Sequence, residues 1–384
     1  MPFTTQKFSQ KLSNLRQSFG NSFKDVSNAT GIPIQSLQGF ESGGKTPSGD
    51  DILILSDFFK CEFAWLIEDD ELNPDENIIS MLRSESRRLA TTDRHSIAEF
   101  LHLCKSQALL EELLEIKPKT SGFRFTPRGN FYIGHGQECA RSFREWHKLP
   151  TNAIIPDIFQ WLRDAGFRLF RRALPNSKIS GLFVRHPYAG YCILINFSED
   201  IYRQRFSAAH EIGHALMDAD IPFNVSDPLD DSSHKFREIR ANSFASCFLM
   251  PNELLTKLGT SEQWRQPDKI EDVAHKLSVS VPALLSALKR SNLLDEQTRS
   301  SLRKLELRLP QKNEPELRGN LTNRQFERKQ ALLATGLHAD YVSIAFEAHR
   351  RNLISLAKLA DILLVDIRDV VELADIFGTR FLNG

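Results

Sequence analysis

Two histidines and a glutamate stand at a spacing that can build half of a metal site. His210 and His214 are four residues apart, so on a helix both imidazoles lie on one face and can bind one metal ion. Glu211 could then act as a general base on water at that ion. Residues 206–209 and 215–217 flank the motif with apolar and small side chains, which predicts an apolar helix. The alternative is a core helix with two hydrogen-bonded histidines, although histidines seldom line one stripe of such a helix.

A third ligand is predicted in the next helical segment, residues 236–245. A catalytic zinc ion keeps three protein ligands and one open position. Glu238 is the only carboxylate on a small, apolar stripe at helical spacing. Asn242, one turn later, could hydrogen-bond a ligand histidine and fix its ring. Two alternatives stay open: Glu238 could be a solvated residue at a helix start, and His234 could be a rival ligand or a hydrogen-bond donor to the transition state.

Length and composition favour a multi-domain protein inside the cell. The 384 residues suffice for two or three domains. Five cysteines, odd in number, scattered and never in a CxxC pair, argue against a disulfide framework or a structural zinc cluster. We see no signal peptide and no apolar run approaching the ~20 residues that cross a bilayer, so we expect a cytoplasmic protein without membrane contact. Forty-nine basic and 49 acidic residues cancel, and bulk charge therefore indicates nothing about nucleic acid.

Residues 1–70 predict a separate five-helix unit. Apolar residues recur there at helical spacing, and the Gly-Ile-Pro sequence at 31–33 predicts the turn of a helix-turn-helix. This unit resembles the Cro/repressor (XRE) class of DNA-binding domains, in which the second helix of the motif enters the major groove. The resemblance implies that Gln35, Ser36 and Gln38 face base edges, and these side chains can form hydrogen bonds there.

The charge of this unit predicts only modest affinity for DNA. Between Lys7 and Ile67, six basic residues are offset by six acidic ones, and phosphate neutralisation carries much of the affinity of such domains. Binding should therefore fall quickly with salt, and formation of a homodimer could restore affinity. The alternative is a helix-turn-helix that serves only protein contact, for example with a repressor of the same fold.

The remaining chain is predicted to be mainly helical with one small sheet. Apolar and β-branched runs at 167–173, 179–185 and 191–196 are separated by turn residues and predict a small antiparallel β-sheet. The predicted fold class is therefore mainly α with a small antiparallel sheet (α+β). The predicted units are the helix-turn-helix domain at 1–70, a helical connector at 71–150, a metal-site core at 151–300 and a C-terminal helical domain at 319–384. The last could bind a partner, sense a signal or dimerise.

The motifs of the predicted core together resemble the ImmA/IrrE family of metallopeptidases. The resemblance is carried by RFSAAHEIGH at 205–214, ANSFA at 241–245 and LMP at 249–251, with 179–182 and 193–196 upstream. It implies a zincin-like metallopeptidase core in which His210, His214 and Glu238 bind Zn²⁺ and Glu211 is the general base. Arg240 departs from the family, which often carries a second acid at that position. In enzymes of this kind a sheet edge can align an extended substrate, and the strand at 181–185 is our candidate for that edge.

Members of this family cut or regulate helix-turn-helix repressors. The prediction is therefore a zinc-dependent, site-specific endopeptidase and transcriptional regulator that cleaves such a repressor, or another copy of this chain, and derepresses a stress, prophage or defence locus. Two alternatives remain. One is a non-proteolytic DNA-binding regulator whose metal domain is a sensor, and the other is an antitoxin-like repressor of its own operon.

Overall fold

A computed structural model describes residues 4–68, 89–117, 122–127, 129–218, 223–226, 235–304, 312, 314–317 and 321–379. Helices dominate these residues and one small sheet accompanies them, which confirms the predicted fold class. Among the described helices, none is both long and apolar enough to cross a membrane. The boundaries predicted above for the four units stay predictions.

Five helices form the first unit, as predicted. Ser22 and Ser48 each begin a helix with a reciprocal capping box, and Gly31 ends the second helix in the left-handed conformation with φ of 75°. Phe8 and Phe40 are buried in the core of the unit. The helices are α1 (Thr5–Phe19), α2 (Phe23–Thr30), α3 (Ile34–Ser42), α4 (Gly49–Phe59) and α5 (Phe63–Ile67).

The chain beyond this unit supplies further helices and four strands. In chain order they are α6 (Thr91–Leu113), α7 (Tyr132–Trp146), α8 (Ile158–Asp164), β1 (Arg168–Arg172), β2 (Gly181–His186), β3 (Gly190–Asn196), α9 (Ile201–Met217), β4 (Phe223–Ser226), α10 (Lys235–Leu249), α11 (Asn252–Leu258), α12 (Pro267–Leu277), α13 (Val281–Arg290), α14 (Glu296–Arg303), α15 (Asn323–Ala334), α16 (Ala339–Arg350), α17 (Leu356–Ile362) and α18 (Val370–Phe377).

The sheet is mixed, with strand order β1-β3-β2-β4. β2 is antiparallel to both of its neighbours, but β1 runs parallel to β3, so the wholly antiparallel sheet that we predicted is wrong at β1. The Asn196 side chain, at the end of β3, holds both ends of the β1–β2 connection. Its Nδ2 donates to the carbonyl oxygens of Leu174 and Ile179, and its Oδ1 accepts from the N–H of Leu174. The connection therefore passes the end of β3 and leaves β2 on its far side. Strand periodicity carries no information about this order.

The two faces of the sheet pack against different parts of the chain. Leu169 and Ile193 face the cluster that contains α9 and α10, whereas their neighbours Phe170 and Leu194 face the cluster that contains α6 and the C-terminal helices, as the alternation of side chains along a strand requires. The second cluster also includes the core of the first unit, so apolar contact is continuous from the helix-turn-helix helices to the back of the sheet.

Helix α6 lies at the centre of this second cluster. It contacts α1, the sheet strands β1 and β3, and the C-terminal helices α16 and α17. At its first turn, Arg94 donates hydrogen bonds to the carbonyl oxygens of Leu89 and Ser18, at 3.1 and 2.9 Å. The first unit is therefore held against the sheet-bearing core through one shared helix.

Candidate metal centre

Helix α9 carries the sequence HEIGH at residues 210–214, an HExxH motif, and places its two histidines side by side. The Nε2 atoms of His210 and His214 are 3.1 Å apart, as expected for residues one turn apart on one face. Both side chains are buried. Helix α9 itself is buried on nearly every side, between the sheet and α10.

The third predicted residue, Glu238, comes from the first turn of α10. Its Oε2 lies 3.2 Å from Nε2 of His210, and its Oε1 lies 3.1 Å from Nε2 of His214. The ligand atoms of the three residues all lie within 4.8 Å of one another. Two imidazole nitrogens and one carboxylate are a donor set that suits a zinc ion with one position left open.

Small residues allow α9 and α10 to approach closely enough for this. A Cβ atom on Gly213 would stand 3.2 Å from Cα of Ala241 and 3.3 Å from the Phe244 side chain. A larger residue at position 213 would therefore push α10 outward and carry Glu238 away from the histidines. The glycine inside α9, which costs about 1 kcal/mol of helix propensity, is explained by this contact.

The outer nitrogens of both histidines face oxygen acceptors. Nδ1 of His210 lies 3.1 Å from Oδ1 of Asn242, and Nδ1 of His214 lies 2.7 Å from Oδ2 of Asp218. Because a carboxylate can only accept, Nδ1 of His214 carries the proton, and its Nε2 lone pair is left for a metal ion when the ring is neutral. Asn242 thus lies where a residue that fixes a ligand ring should lie.

The electrostatics of the centre favour a positive charge between these residues. Burial disfavours the imidazolium form of His214, but hydrogen bonds to Asp218 and Glu238 outweigh it and raise the pKa of His214 to about 9. Burial likewise opposes ionisation of Glu238, yet contact with His210 and His214 holds the pKa of its carboxyl far below the usual range. A divalent cation bound at the Nε2 atoms would meet the same favourable field.

Sequence reasoning missed Asp218, which the structure places directly behind His214. Asp218 is buried, and Arg240 forms an ion pair with it. The spacing from His214 to Asp218 equals that between the two histidines, so a search for acids one turn after the motif could have found it. Arg240, the departure from the family pattern, therefore neutralises a buried acid beside the centre.

Glu211 lies on the side of the centre that faces β2. A Cβ atom on Gly181 would stand 3.0 Å from Oε1 of Glu211, so β2 passes directly over this carboxylate. Glu211 has no exposed surface, whereas the Glu238 side chain keeps 26% exposure and Asn242 is exposed. The centre is thus open on the α10 side and covered on the β2 side.

The predicted substrate-binding edge is not free in this structure, and the rival ligand cannot be placed. The strand at 181–185, predicted to align an extended substrate at its edge, is paired with β4 over residues 181–184, so that edge is occupied. His234, the rival ligand, lies outside the described residues.

The predicted DNA contacts lie in the first unit, on α3. Gln35 and Gln38 are exposed there, and Ser36 is partly exposed with its Oγ accepting a hydrogen bond from Nζ of Lys45 at 2.8 Å. These side chains do not belong to the metal centre. The structure gathers His210, His214, Glu238, Asn242 and Glu211 in one place, and Gln35, Ser36 and Gln38 in another.

Comparison with known families assigns the same two regions. Residues 162–289 match a family model described as the IrrE N-terminal-like domain, and residues 12–66 match a helix-turn-helix model. The middle of the chain is thus similar to the IrrE N-terminal-like domain, and its N-terminal part is similar to a helix-turn-helix domain. The family resemblance drawn from the motifs is thereby confirmed, and the pair of domains indicates a DNA-binding regulator with a protease-like domain. The IrrE-like domain spans the strands and both helices of the metal centre. No curated protein matches the chain.

Proposed function

We propose that this IrrE-like protein is a zinc-dependent endopeptidase that cleaves a helix-turn-helix repressor. The observation that carries the proposal is the convergence of His210, His214 and Glu238 beside Glu211. The proposal extends to derepression of a stress, prophage or defence locus, since removal of a repressor has that consequence.

His210, His214 and Glu238 would hold the ion. When bound, Zn²⁺ would act as a Lewis acid on the scissile carbonyl and on the attacking water. Two nitrogen ligands and one oxygen ligand fit zinc better than they fit calcium or magnesium, which prefer oxygen alone. The acceptors on the outer nitrogens, Asp218 and Asn242, would keep both rings in the orientation and tautomer that binding needs.

Glu211 would act as the general base and then as the general acid. It would take a proton from the attacking water and pass that proton to the nitrogen of the leaving amine as the C–N bond breaks. Its place suits this role, because the carboxylate lies between α9 and β2 and acts electrostatically on the candidate ligand His214. The buried surroundings strengthen electrostatic interactions with the developing charges.

The first unit would supply both DNA contact and choice of substrate. Gln35, Ser36 and Gln38 on α3 would face base edges in the major groove. A repressor with the same helix-turn-helix fold could pair with this unit in the way that a second copy of the protein would. Because α6 holds the unit against the metal-site core, this pairing would bring the repressor close to the metal centre. Substrate choice would then depend on the partner fold as well as on the sequence at the cut.

One observation favours the second candidate, a non-proteolytic regulator whose metal domain is a sensor. Glu211 has no exposed surface in this structure, so water does not reach it without movement of the chain. A regulator of this kind needs only metal binding. Both candidates predict binding to promoter DNA, and cleavage separates them.

The test is to incubate the zinc-loaded protein with candidate helix-turn-helix repressors, chosen first from neighbouring genes, and to follow the products by mass spectrometry. We expect one cut in wild type, retention of zinc without a cut in Glu211→Gln, and an unchanged cut in the control Glu253→Gln, which alters an exposed glutamate of α11. A chelator should stop the reaction and added Zn²⁺ should restore it. Cleavage that persists in Glu211→Gln would exclude the mechanism, and an intact repressor with wild type would favour the regulator.

A further inference from the structure

The outer edge of β2 is already paired with a strand of the same chain. β4 runs antiparallel to β2 and lies at the margin of the sheet. The paired positions are Gly181 with Ser226, Leu182 with Val225, Phe183 with Asn224 and Val184 with Phe223. An incoming strand therefore finds no free edge on β2 over residues 181–184.

This edge is the part of the sheet that adjoins the candidate base. Gly181 is the residue of β2 that passes over Glu211, and its partner in register is Ser226, the last residue of β4. The α10 side of the centre keeps solvent access at Glu238 and Asn242, whereas the β2 side has none at Glu211. β4 thus occupies the edge of β2 that lies next to Glu211.

β4 also has the shortest pairing in the sheet. It pairs over four residues, compared with five for β1 with β3 and six for β2 with β3. So short a pairing contributes few backbone hydrogen bonds, and strands of this length are stabilised mainly by what they pack against. Its described side chain, Phe223, is partly buried against the cluster on the back of the sheet. Replacement of β4 by another strand would remove this contact and exchange its main-chain hydrogen bonds to β2 for similar ones.

We propose that β4 occupies the position on the edge of β2 that an extended segment of the substrate takes, and that the substrate must displace it. An extended segment of the substrate would pair antiparallel with β2 in place of β4, through main-chain hydrogen bonds that resemble those it displaces. Because β4 belongs to the same chain, it competes with a substrate at high effective concentration. The apparent affinity for the substrate equals the intrinsic affinity multiplied by the fraction of molecules in which the β2 edge is free. The consequence for cleavage rests on the proposed function, but the exchange of strands is a binding equilibrium of its own.

The exchange can be tested with a peptide of the same sequence as β4. In an antiparallel strand alternate residues direct their N–H groups at the neighbour, so two consecutive prolines, Asn224→Pro with Val225→Pro, remove at least one hydrogen bond to β2. The matched control, Asn224→Ala with Val225→Ala, keeps both N–H groups. Each pair is built on Glu211→Gln so that a bound peptide is not cut, and the probe is a fluorescein-labelled peptide of residues 221–227, IPFNVSD.

We expect the double-proline protein to bind the peptide at least tenfold more tightly than the alanine control and the unmodified Glu211→Gln protein. Hydrogen exchange should become faster at amides of β2 and stay unchanged in β3. Phe223→Ser, which removes the apolar contact of β4 without a proline, should shift both readouts in the same direction. It also serves as the second variant should the prolines disturb folding.

Two results would overturn the inference. Unchanged protection of the β2 amides in both variants would show that β4 does not cover this edge. Faster exchange without tighter peptide binding would show that the freed edge does not accept a strand. Both readouts are independent of proteolysis: failure of the wild-type protein to cut a repressor would count against the proposed function and leave the binding result standing.

Discussion

Arg240 and Asp218 form an ion pair beside the candidate ligand His214. Asp218 is buried, and a buried carboxylate without a partner would be strongly unfavourable. Arg240, on α10, supplies the opposite charge that offsets this cost. Asp218 also accepts a hydrogen bond from Nδ1 of His214, which lies on α9. The pair therefore links the two helices that contribute the ligands and fixes the ring of one ligand at the same time.

The Asp218→Asn variant should bind zinc about 10- to 100-fold more weakly than wild type, the range typical for loss of a residue that holds a ligand histidine. An amide can still accept from Nδ1, but it lacks the charge that raises the basicity of His214, and it leaves Arg240 with no partner at this position. Competition with a chromophoric chelator measures the affinity. Asp268→Asn, at an exposed position of α12, is the control, and equal affinities for the two variants would contradict the role given to Asp218.

Contact between α7 and α10 should be sensitive to one methyl group. A Cβ atom on Gly136 would stand 2.7 Å from the backbone nitrogen of Phe244, and closer still to the carbonyl oxygen of Arg240, so the two helices would have to separate. We expect Gly136→Ala to lower the free energy of unfolding by about 1–3 kcal/mol and to weaken zinc binding, because α10 carries Glu238.

Gly134 provides the matched control on the same helix. The three atoms nearest to a Cβ atom there all belong to the ring of Phe131, which is 67% exposed and can turn away. Gly134→Ala should therefore leave stability unchanged or raise it by up to ~1 kcal/mol through helix propensity. Chemical denaturation of both variants decides the matter, and similar losses for the two would show that helix contact at Gly136 is not the cause.

Features of this fold that arise from residues close together in the sequence could be predicted, whereas features that join distant segments could not. The helical spacing of His210 and His214 and the stripe that holds Glu238 follow from 3.6-residue periodicity, and both could be predicted. The capped helices of the first unit are local as well. Three other features depend on contacts between segments that are distant in the chain, so periodicity could not predict them. They are the parallel pairing of β1, the pairing of β4 with β2 and the ion pair of Arg240.

The charged segment around and after the end of α14 also makes a long-range contact that its composition does not predict. Residues 303–318 contain several charges, which sequence composition alone would place in solvent. Arg171 of β1 is buried, and both carboxylate oxygens of Glu314 accept hydrogen bonds from it at 2.7 Å. A charge pattern indicates exposure only until a buried partner of opposite charge is known.

DNA affinity should depend on the exposed face of α3. Gln38→Ala should weaken specific binding by about 1–3 kcal/mol, because a glutamine can form two hydrogen bonds to an adenine edge and alanine forms none. The side chain is exposed, so the fold should be unaffected. Fluorescence anisotropy with DNA fragments enriched from genomic DNA by the wild-type protein measures the loss.

Gln17→Ala is the control for this experiment, since Gln17 is an exposed glutamine on α1 rather than α3. It should bind DNA as wild type does. Equal affinities for Gln38→Ala and wild type would favour a helix-turn-helix that contacts protein alone. A shallow dependence of wild-type affinity on salt would contradict binding through phosphate contacts.

Contact between the first unit and α6 should weaken in acid because of His95. Its ring lies among three phenylalanine rings, with centroids 4.8, 4.7 and 6.4 Å from those of Phe19, Phe58 and Phe59, and its Nε2 lies 3.0 Å from Oδ1 of Asn21. Burial disfavours the imidazolium and lowers the pKa of His95 to about 4, from 6.5 for an exposed histidine.

Because the folded-state pKa is the lower one, the unfolded chain takes up the proton first as the pH falls. The contribution of His95 to stability is therefore fully present above about pH 6.5 and declines as the pH falls towards about 4. Between pH 7 and pH 5 wild type should lose about 2 kcal/mol more stability in this unit than His95→Gln, whose amide does not titrate and can still donate to Asn21. Hydrogen exchange at the amides of α1 measures the free energy of opening at both pH values. Equal losses in the two proteins would show that His95 is not the group that titrates.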